Sequence, residues 1–181
     1  MFIVAALAFV GALCVLNLVL TLGVVRRLRQ HSELLSGKSQ TLAAPGDGML
    51  PVGASPSEFE ATTVTGQIVS RAEISGTTLL GFFSPECSQC LKYAPEFAAY
   101  VAGLPVAERR ALAVVVGPEG ETQELVTSLG DALQVVVEPA GGAVSSAYQV
   151  AGFPCLGVVT DGGMVVESDL TIDRLRASVA V

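Results

Sequence analysis

The stretch of the chain that decides the fold is TTLLGFFSPECSQC, residues 77–90. Its first half, residues 77–83, is a continuous apolar run, which is typical of a strand buried on both faces of a sheet. Its second half ends in two cysteines three positions apart, Cys87 and Cys90. Apolar residues then recur at helical spacing as far as Gly103, so the pattern predicts a helix that begins at the cysteines.

A C-x-x-C pair at the start of a helix can carry two electrons. The helix N-terminus offers unpaired N–H groups and a partial positive charge, which stabilise a thiolate at Cys87. Cys87 would attack a disulfide, and Cys90, one turn further on, would resolve the mixed disulfide. Half of a zinc site is the alternative, but the domain offers only Cys155 as a further thiol, and the single histidine, His31, lies upstream of it. We therefore interpret the pair as redox-active, with no metal and no cofactor.

Strand and helix patterns alternate through residues 50–181. A hairpin is predicted around Gly66, between strands at residues 59–64 and 67–70. Further strands are predicted at residues 112–116, 134–137, 156–160 and 164–167, and helices at residues 122–129, 144–148 and 172–179. Residues 161–163, Asp-Gly-Gly, are a turn signal between the last two strands. Buried strands separated by helices predict an α/β fold with a central sheet covered on both faces.

The N-terminal segment has a different composition. Residues 1–25 contain no Asp, Glu, Lys, Arg or His. As a helix they would reach about 37 Å, which exceeds the roughly 30 Å hydrocarbon core of a bilayer. We predict a single transmembrane helix in contact with membrane lipid at residues 1–25, a juxtamembrane segment and flexible linker at residues 26–49, and one folded domain at residues 50–181.

The charges bear on partners and on orientation. A net charge of −7 argues against a nucleic-acid binder, because such proteins usually carry a basic face. Arg26, Arg27 and Arg29 directly follow the predicted membrane span. By the positive-inside rule, they favour a cytosolic position for the domain.

From about residue 50 to the C-terminus, the chain resembles the thioredoxin-like disulfide reductases of the TlpA and MauD type. Residues 50–70, LPVGASPSEFEATTVTGQIVS, are similar to the family's entry hairpin, and residues 79–90, LLGFFSPECSQC, to its strand and active-site loop. Pro95 matches a proline of the first helix, and residues 148–154, YQVAGFP, match the approach to a cis-proline. Together these matches are specific evidence for the resemblance, whereas any one of them alone would be weak evidence.

The resemblance implies a thioredoxin-like fold with a central mixed sheet and a cis bond between Phe153 and Pro154. In the family, the backbone before this proline pairs with the substrate chain like an added strand. Protein thiols and disulfides are the implied partners, together with a protein that supplies or accepts electrons. The resemblance also implies an extracytoplasmic domain, which we favour over the cytosol because disulfides persist there.

The sequence departs from the family pattern at two positions. Glu86 precedes Cys87 where an aromatic residue is common, and Gly81 occupies the place of a buried acid found in thioredoxin. Glu86 opposes the thiolate at Cys87 or serves as a proton acceptor for Cys90, and a solvated loop carboxylate is the alternative. Cys155 is interpreted as a small apolar filler in preference to a third redox thiol.

The main functional prediction is a membrane-anchored thiol-disulfide oxidoreductase that reduces or exchanges disulfides in partner proteins. One alternative is a thiol peroxidase of the peroxiredoxin/AhpC-TSA type, which would use Ser84 and a distant arginine. The sequence does not single out that arginine among Arg71, Arg109, Arg110, Arg174 and Arg176. A non-enzymatic assembly or copper-handling protein on the same fold is a further alternative, although residues 50–181 contain no histidine.

Overall fold

The computed structural model describes residues 48–168, together with Gly11, Thr171, Ile172 and Arg174. The predicted transmembrane helix at residues 1–25, apart from Gly11, and the predicted segment at residues 26–47 lie outside the described residues. Within the described part of the chain, no helix is both long enough and apolar enough to cross a membrane.

The secondary structure follows the predicted order. The strands are β1 (Glu60–Thr62), β2 (Ile68–Ser70), β3 (Thr78–Phe83), β4 (Ala111–Val116), β5 (Gln134–Glu138), β6 (Cys155–Val159) and β7 (Val165–Glu167). The helices are α1 (Ser88–Gly103), α2 (Gln123–Leu129) and α3 (Ala143–Ala147). Each lies within two residues of its predicted bounds. Of the predicted helix at residues 172–179, only Ile172 and Arg174 are described, and both are helical.

The strands form two sheets. β1 and β2 pair as a hairpin, and the other strands form a five-stranded sheet in the order β5-β4-β3-β6-β7. β3, β4 and β5 are parallel, whereas β6 runs antiparallel to both β3 and β7. Because Cys155 pairs with Phe82, β6 begins where the three parallel strands end. We call this side of the domain the carboxyl end of the sheet, and the cysteine motif and Pro154 both lie there.

The two faces of the sheet carry separate apolar cores, because side chains of a strand alternate between faces. Phe82 belongs to one core and Phe83 to the other. The core that contains Phe83 includes side chains of α1 and α2, and the core that contains Phe82 includes side chains of α3. Helices therefore cover both faces of a mixed sheet, as predicted.

The buried apolar face of helix α1 determines where the helix lies on the sheet. Cys90, Ala94, Phe97 and Val101 are its buried residues, and they recur at the spacing of one helix face. Pro95 lies inside this helix, at the position the resemblance predicted. Burial of this face against β3 fixes the N-terminus of α1 at the carboxyl end of the sheet.

Candidate active site

Cys87 lies at the junction between β3 and α1. It is the N-cap residue of α1, and its side chain is half-buried. Its N–H donates to the Ser84 carbonyl at 3.1 Å, and its carbonyl accepts from the Cys90 N–H at 2.9 Å. These two turns set the thiol at the N-terminus of a 16-residue helix.

Cys90 lies in the first turn of α1, three residues after Cys87, and is fully buried, with 0% of its surface exposed. Burial raises the pKa of Cys90 to about 12, and a hydrogen bond with the Cys87 side chain adds to the increase. A hydrogen bond with the backbone of Ser84 acts in the opposite direction. At neutral pH, Cys90 is therefore a protonated thiol that solvent does not reach. The two cysteines differ in accessibility, as a nucleophile and a resolving thiol must.

The loop before β6 completes the site. The peptide bond between Phe153 and Pro154 is cis, as predicted. The Cys87 thiol donates to the Phe153 carbonyl, with 3.3 Å between Sγ and O. The loop is held by two further backbone bonds, from the Val150 N–H to Ser145 at 3.0 Å and from the Ala151 N–H to Gly48 at 3.0 Å. The structure thus brings the loop that carries Phe153 and Pro154 to the cysteine pair.

Glu86 is not part of this arrangement. Its side chain is exposed and makes no hydrogen bond or ion pair with another described residue. It is also absent from the groups that shift the pKa of Cys90. The geometry matches the solvated loop carboxylate that the sequence left open as an alternative.

Apolar side chains surround Gly81, the position that corresponds to the buried acid of thioredoxin. A Cβ at Gly81 would lie 2.8 Å from Cε2 of Phe83 and 3.2 Å from Cδ2 of Leu156. The Phe83 ring in turn packs against Phe97, with 5.8 Å between ring centroids. No carboxylate therefore occupies this position beneath Cys90.

Cys155 faces away from the cysteine pair. Its side chain is buried in the core that contains Tyr148, on the opposite side of the sheet from Cys90. This position fits its interpretation as an apolar filler.

The features that a peroxidase would need are not assembled among the described residues. Ser84 is buried, and its carbonyl is engaged by Cys87. Arg110 precedes β4 and bonds Ser75, so its backbone lies about 20 Å from the carboxyl end of that six-residue strand. Arg71 bonds Gly162, in the turn after β6, at the same far side. In the described part of the chain, no group of three His, Cys, Asp or Glu side chains could hold a metal ion.

Two residues at the site were not predicted. Gly117 follows β4 and packs against the motif, since a Cβ there would lie 2.7 Å from Cγ of Pro85. Glu138 ends β5, and its carboxylate is buried beneath α3. The sequence signal for both is a position directly after a buried strand, followed in the case of Glu138 by the pair Gly141 and Gly142.

Comparisons with known proteins agree with this architecture. No family model matches the chain, and no curated protein sequence matches it. Among solved structures, it is similar to the thioredoxin domain of a thiol-disulfide oxidoreductase from Bacteroides vulgatus, at 20% identity and a TM-score of 0.59, covering 72% of this chain and 96% of that one. A candidate thiol:disulfide interchange protein DsbE from Chlorobium tepidum gives 19% identity, a TM-score of 0.61 and the same coverage.

A third similar structure is a secreted Mycobacterium tuberculosis disulfide oxidoreductase homologous to Escherichia coli DsbE. It gives 21% identity and a TM-score of 0.54, and the alignment covers 67% of this chain and 94% of that one. At these identities, the likeness establishes the fold. The domain has a thioredoxin-like fold, and its activity has to be argued from the site.

Proposed function

We propose that this chain is a membrane-anchored thiol-disulfide oxidoreductase of the TlpA and MauD type, which acts on disulfides in partner proteins. One observation carries the proposal. The Cys87 thiol lies at the N-terminus of α1, 3.3 Å from the carbonyl of Phe153, while Cys90 is fully buried one turn away. The names of the similar structures are consistent with this activity.

The reaction begins at Cys87. Its thiolate attacks one sulfur of a partner disulfide, so a Cys87–partner disulfide forms and the partner's other sulfur leaves as a thiolate. Cys90 then loses its proton and attacks the Cys87 sulfur, which releases the second partner thiolate. The products are an intramolecular Cys87–Cys90 disulfide and a reduced partner, so two electrons have moved to the partner.

The loop before β6 aligns the substrate. The carbonyl of Phe153 is directed at Cys87, so a partner segment that pairs with this backbone would carry its cysteine past the nucleophile. Pro154 offers no N–H, so the loop presents an acceptor and no donor immediately after Phe153. The partner is therefore recognised mainly as an extended backbone segment.

Turnover requires a second protein. A dithiol donor has to reduce the Cys87–Cys90 disulfide, because no third thiol lies at the site among residues 48–168. We propose that residues 1–25 anchor the chain in the bilayer and that the domain lies outside the cytoplasm, although Arg26, Arg27 and Arg29 favour the opposite orientation. Labelling of Cys87 in intact cells with a membrane-impermeant thiol reagent, after reduction, tests this. Labelling only after lysis would place the domain in the cytosol.

The central experiment is a mixed-disulfide trap. In a Cys90→Ser variant the resolving thiol is lost, so Cys87 should remain linked to its partner and appear as a reductant-sensitive band of higher mass. A Cys87→Ser/Cys90→Ser double variant should trap nothing, and a Cys155→Ser/Cys90→Ser variant should trap as well as Cys90→Ser does. Failure of Cys90→Ser to trap any protein or peptide disulfide would refute the proposed function.

A further inference from the structure

Glu138 is a buried carboxylate that the proposed reaction does not use. Its side chain is 6% exposed, and it is the one buried Asp, Glu, Lys or Arg among the described residues. Removing a carboxylate from water is costly unless hydrogen bonds replace its hydration. Both of its oxygens have such bonds: Oε2 accepts from the Val144 N–H at 3.0 Å, and Oε1 accepts from the Ser145 N–H at 2.7 Å.

The first of its two connections leads to the loop before β6. Ser145, whose N–H the carboxylate binds, accepts at its own carbonyl from the Val150 N–H at 3.0 Å. Three residues after Val150, Phe153 accepts the hydrogen bond of the Cys87 thiol. The carboxylate is thus joined to the substrate-facing carbonyl through α3 and a single loop.

The second connection leads to the cysteine motif. The backbone carbonyl of Glu138 accepts from the Gly117 N–H at 3.1 Å. Gly117 lies against Pro85, where a Cβ would come within 2.7 Å of the proline ring. Pro85 precedes Cys87 by two residues, so the backbone of Glu138 is connected to the cysteine motif through Gly117.

The fit around the carboxylate is close on the side of α3. Gly142 is the N-cap residue of α3, and a Cβ there would collide with Cδ of Glu138. The backbone of Gly142 has an ordinary negative φ of −60°, so the glycine is needed for space and not for conformation. A side chain at this position would displace the carboxylate.

We propose that Glu138 is a positioning residue that sets the Phe153 carbonyl at its distance from Cys87. It does not touch the reacting sulfurs, so its carboxylate acts through the N–H groups of α3. The inference rests on the proposed function, because the loop it positions is the one that aligns a substrate disulfide. Loss of the carboxylate should impair the reaction with an extended substrate and leave the intrinsic reactivity of Cys87 intact.

Two rates measured on the reduced full chain test the inference. One is the reaction with an oxidised peptide disulfide, which needs the loop, and the other is alkylation of Cys87 by iodoacetamide, which does not. Glu138→Gln keeps the shape but replaces one acceptor with an NH₂ group that meets a backbone N–H. We expect the peptide rate to fall by about tenfold while the alkylation rate stays within about twofold.

Glu73→Gln is the matched control. The Glu73 carboxylate also accepts a backbone N–H, from Ser70 at 3.1 Å, but it is exposed and precedes β3, at the far side of the sheet. In Glu73→Gln, the ratio of the peptide disulfide rate to the alkylation rate should equal that of the wild type. Gly142→Ala is a second arm that displaces the Glu138 carboxylate with its charge intact, and it should reproduce the selective loss.

The possible outcomes are distinguishable. A folded Glu138→Gln protein with an unchanged ratio of the two rates would overturn the inference, as would an equal fall in both. If Glu138→Gln does not fold, the same criteria apply to Gly142→Ala. Wild-type protein that reacts with no disulfide would instead contradict the proposed function.

Discussion

The thiol of Cys87 donates a hydrogen bond to the backbone carbonyl of Phe153, although 66 residues separate the two in the sequence. This bond joins the start of α1 to the loop before β6. It also marks Cys87 as the sulfur that would face a partner in the proposed reaction, because Cys90, only three residues away, is excluded from solvent.

Alkylation should therefore distinguish the two cysteines. In the reduced native protein, iodoacetamide should modify Cys87 at least about a hundredfold faster than Cys90, because only Cys87 combines access with a helix N-terminus. Peptide mapping by mass spectrometry measures both rates. In guanidinium-unfolded protein the two rates should converge, and similar rates in the native protein would contradict the assigned roles.

The resolution step should accelerate with pH. Burial raises the pKa of Cys90 from its ordinary value of 9.0 to about 12. We expect Cys90 to stay buried in a mixed disulfide. Below that pKa, each pH unit increases the attacking thiolate about tenfold. With a 5-thio-2-nitrobenzoate adduct on Cys87, the logarithm of the release rate should rise with a slope near one between about pH 6 and pH 9.

Glu86→Gln is the control for this profile. Because Glu86 is exposed and makes no contact with Cys90, the variant should show the same slope. A plateau near neutral pH in the wild type that disappears in Glu86→Gln would show that Glu86 accepts the proton.

Gly117→Ala should disturb the site through Pro85. The added Cβ would lie 2.7 Å from Cγ and 2.8 Å from Cδ of the proline ring, so the motif or the loop after β4 has to move. We expect a loss of about 1–3 kcal/mol in the free energy of unfolding, together with a slower reaction with disulfides. Urea titration measures the first effect. Gly103→Ala, where no atom lies within 4 Å of the added Cβ, should change stability by less than about 1 kcal/mol.

Tyr148→Phe should destabilise the core that lies opposite Cys90. The Tyr148 hydroxyl donates to the buried Gly163 carbonyl at 3.2 Å, and burial raises the pKa of Tyr148, so it remains a donor at neutral pH. Loss of this bond should cost about 1–2 kcal/mol in the free energy of unfolding. Tyr93→Phe, at a half-buried position with no hydrogen bond to another described residue, should cost less.

The order of the elements could be predicted because each buried strand is an unbroken apolar run. β4, Ala111–Val116, is buried along its whole length and was recognisable on that basis. The register of the strand pairing was harder to predict from the sequence. The side of the sheet on which Cys155 lies depends on register, since a shift of one residue would turn its side chain toward Cys90. Only the observed pairing with Phe82 determines it.

The site was predictable where its residues are marked by a motif. The spacing of Cys87 and Cys90 predicted the start of α1, and the resemblance predicted the cis bond before Pro154. Glu86 was proposed because it is next to Cys87 in the sequence, yet adjacency does not fix the direction of a side chain. Glu138 was missed for the converse reason, because a carboxylate after a strand resembles a solvated loop residue until the N–H groups of α3 are in place.

The replacement of the buried acid by the Phe83 ring has a kinetic consequence. The groups that hydrogen-bond the Cys90 thiol are the Cys87 side chain and the backbone of Ser84, and both belong to the cysteine motif. In the proposed reaction, the thiolate that a partner disulfide releases in the first step is a base close to Cys90. It can therefore take the Cys90 proton, and Cys90 then attacks the mixed disulfide. A mixed disulfide whose partner carries no second thiolate should then persist longest, because nothing beside Cys90 takes its proton.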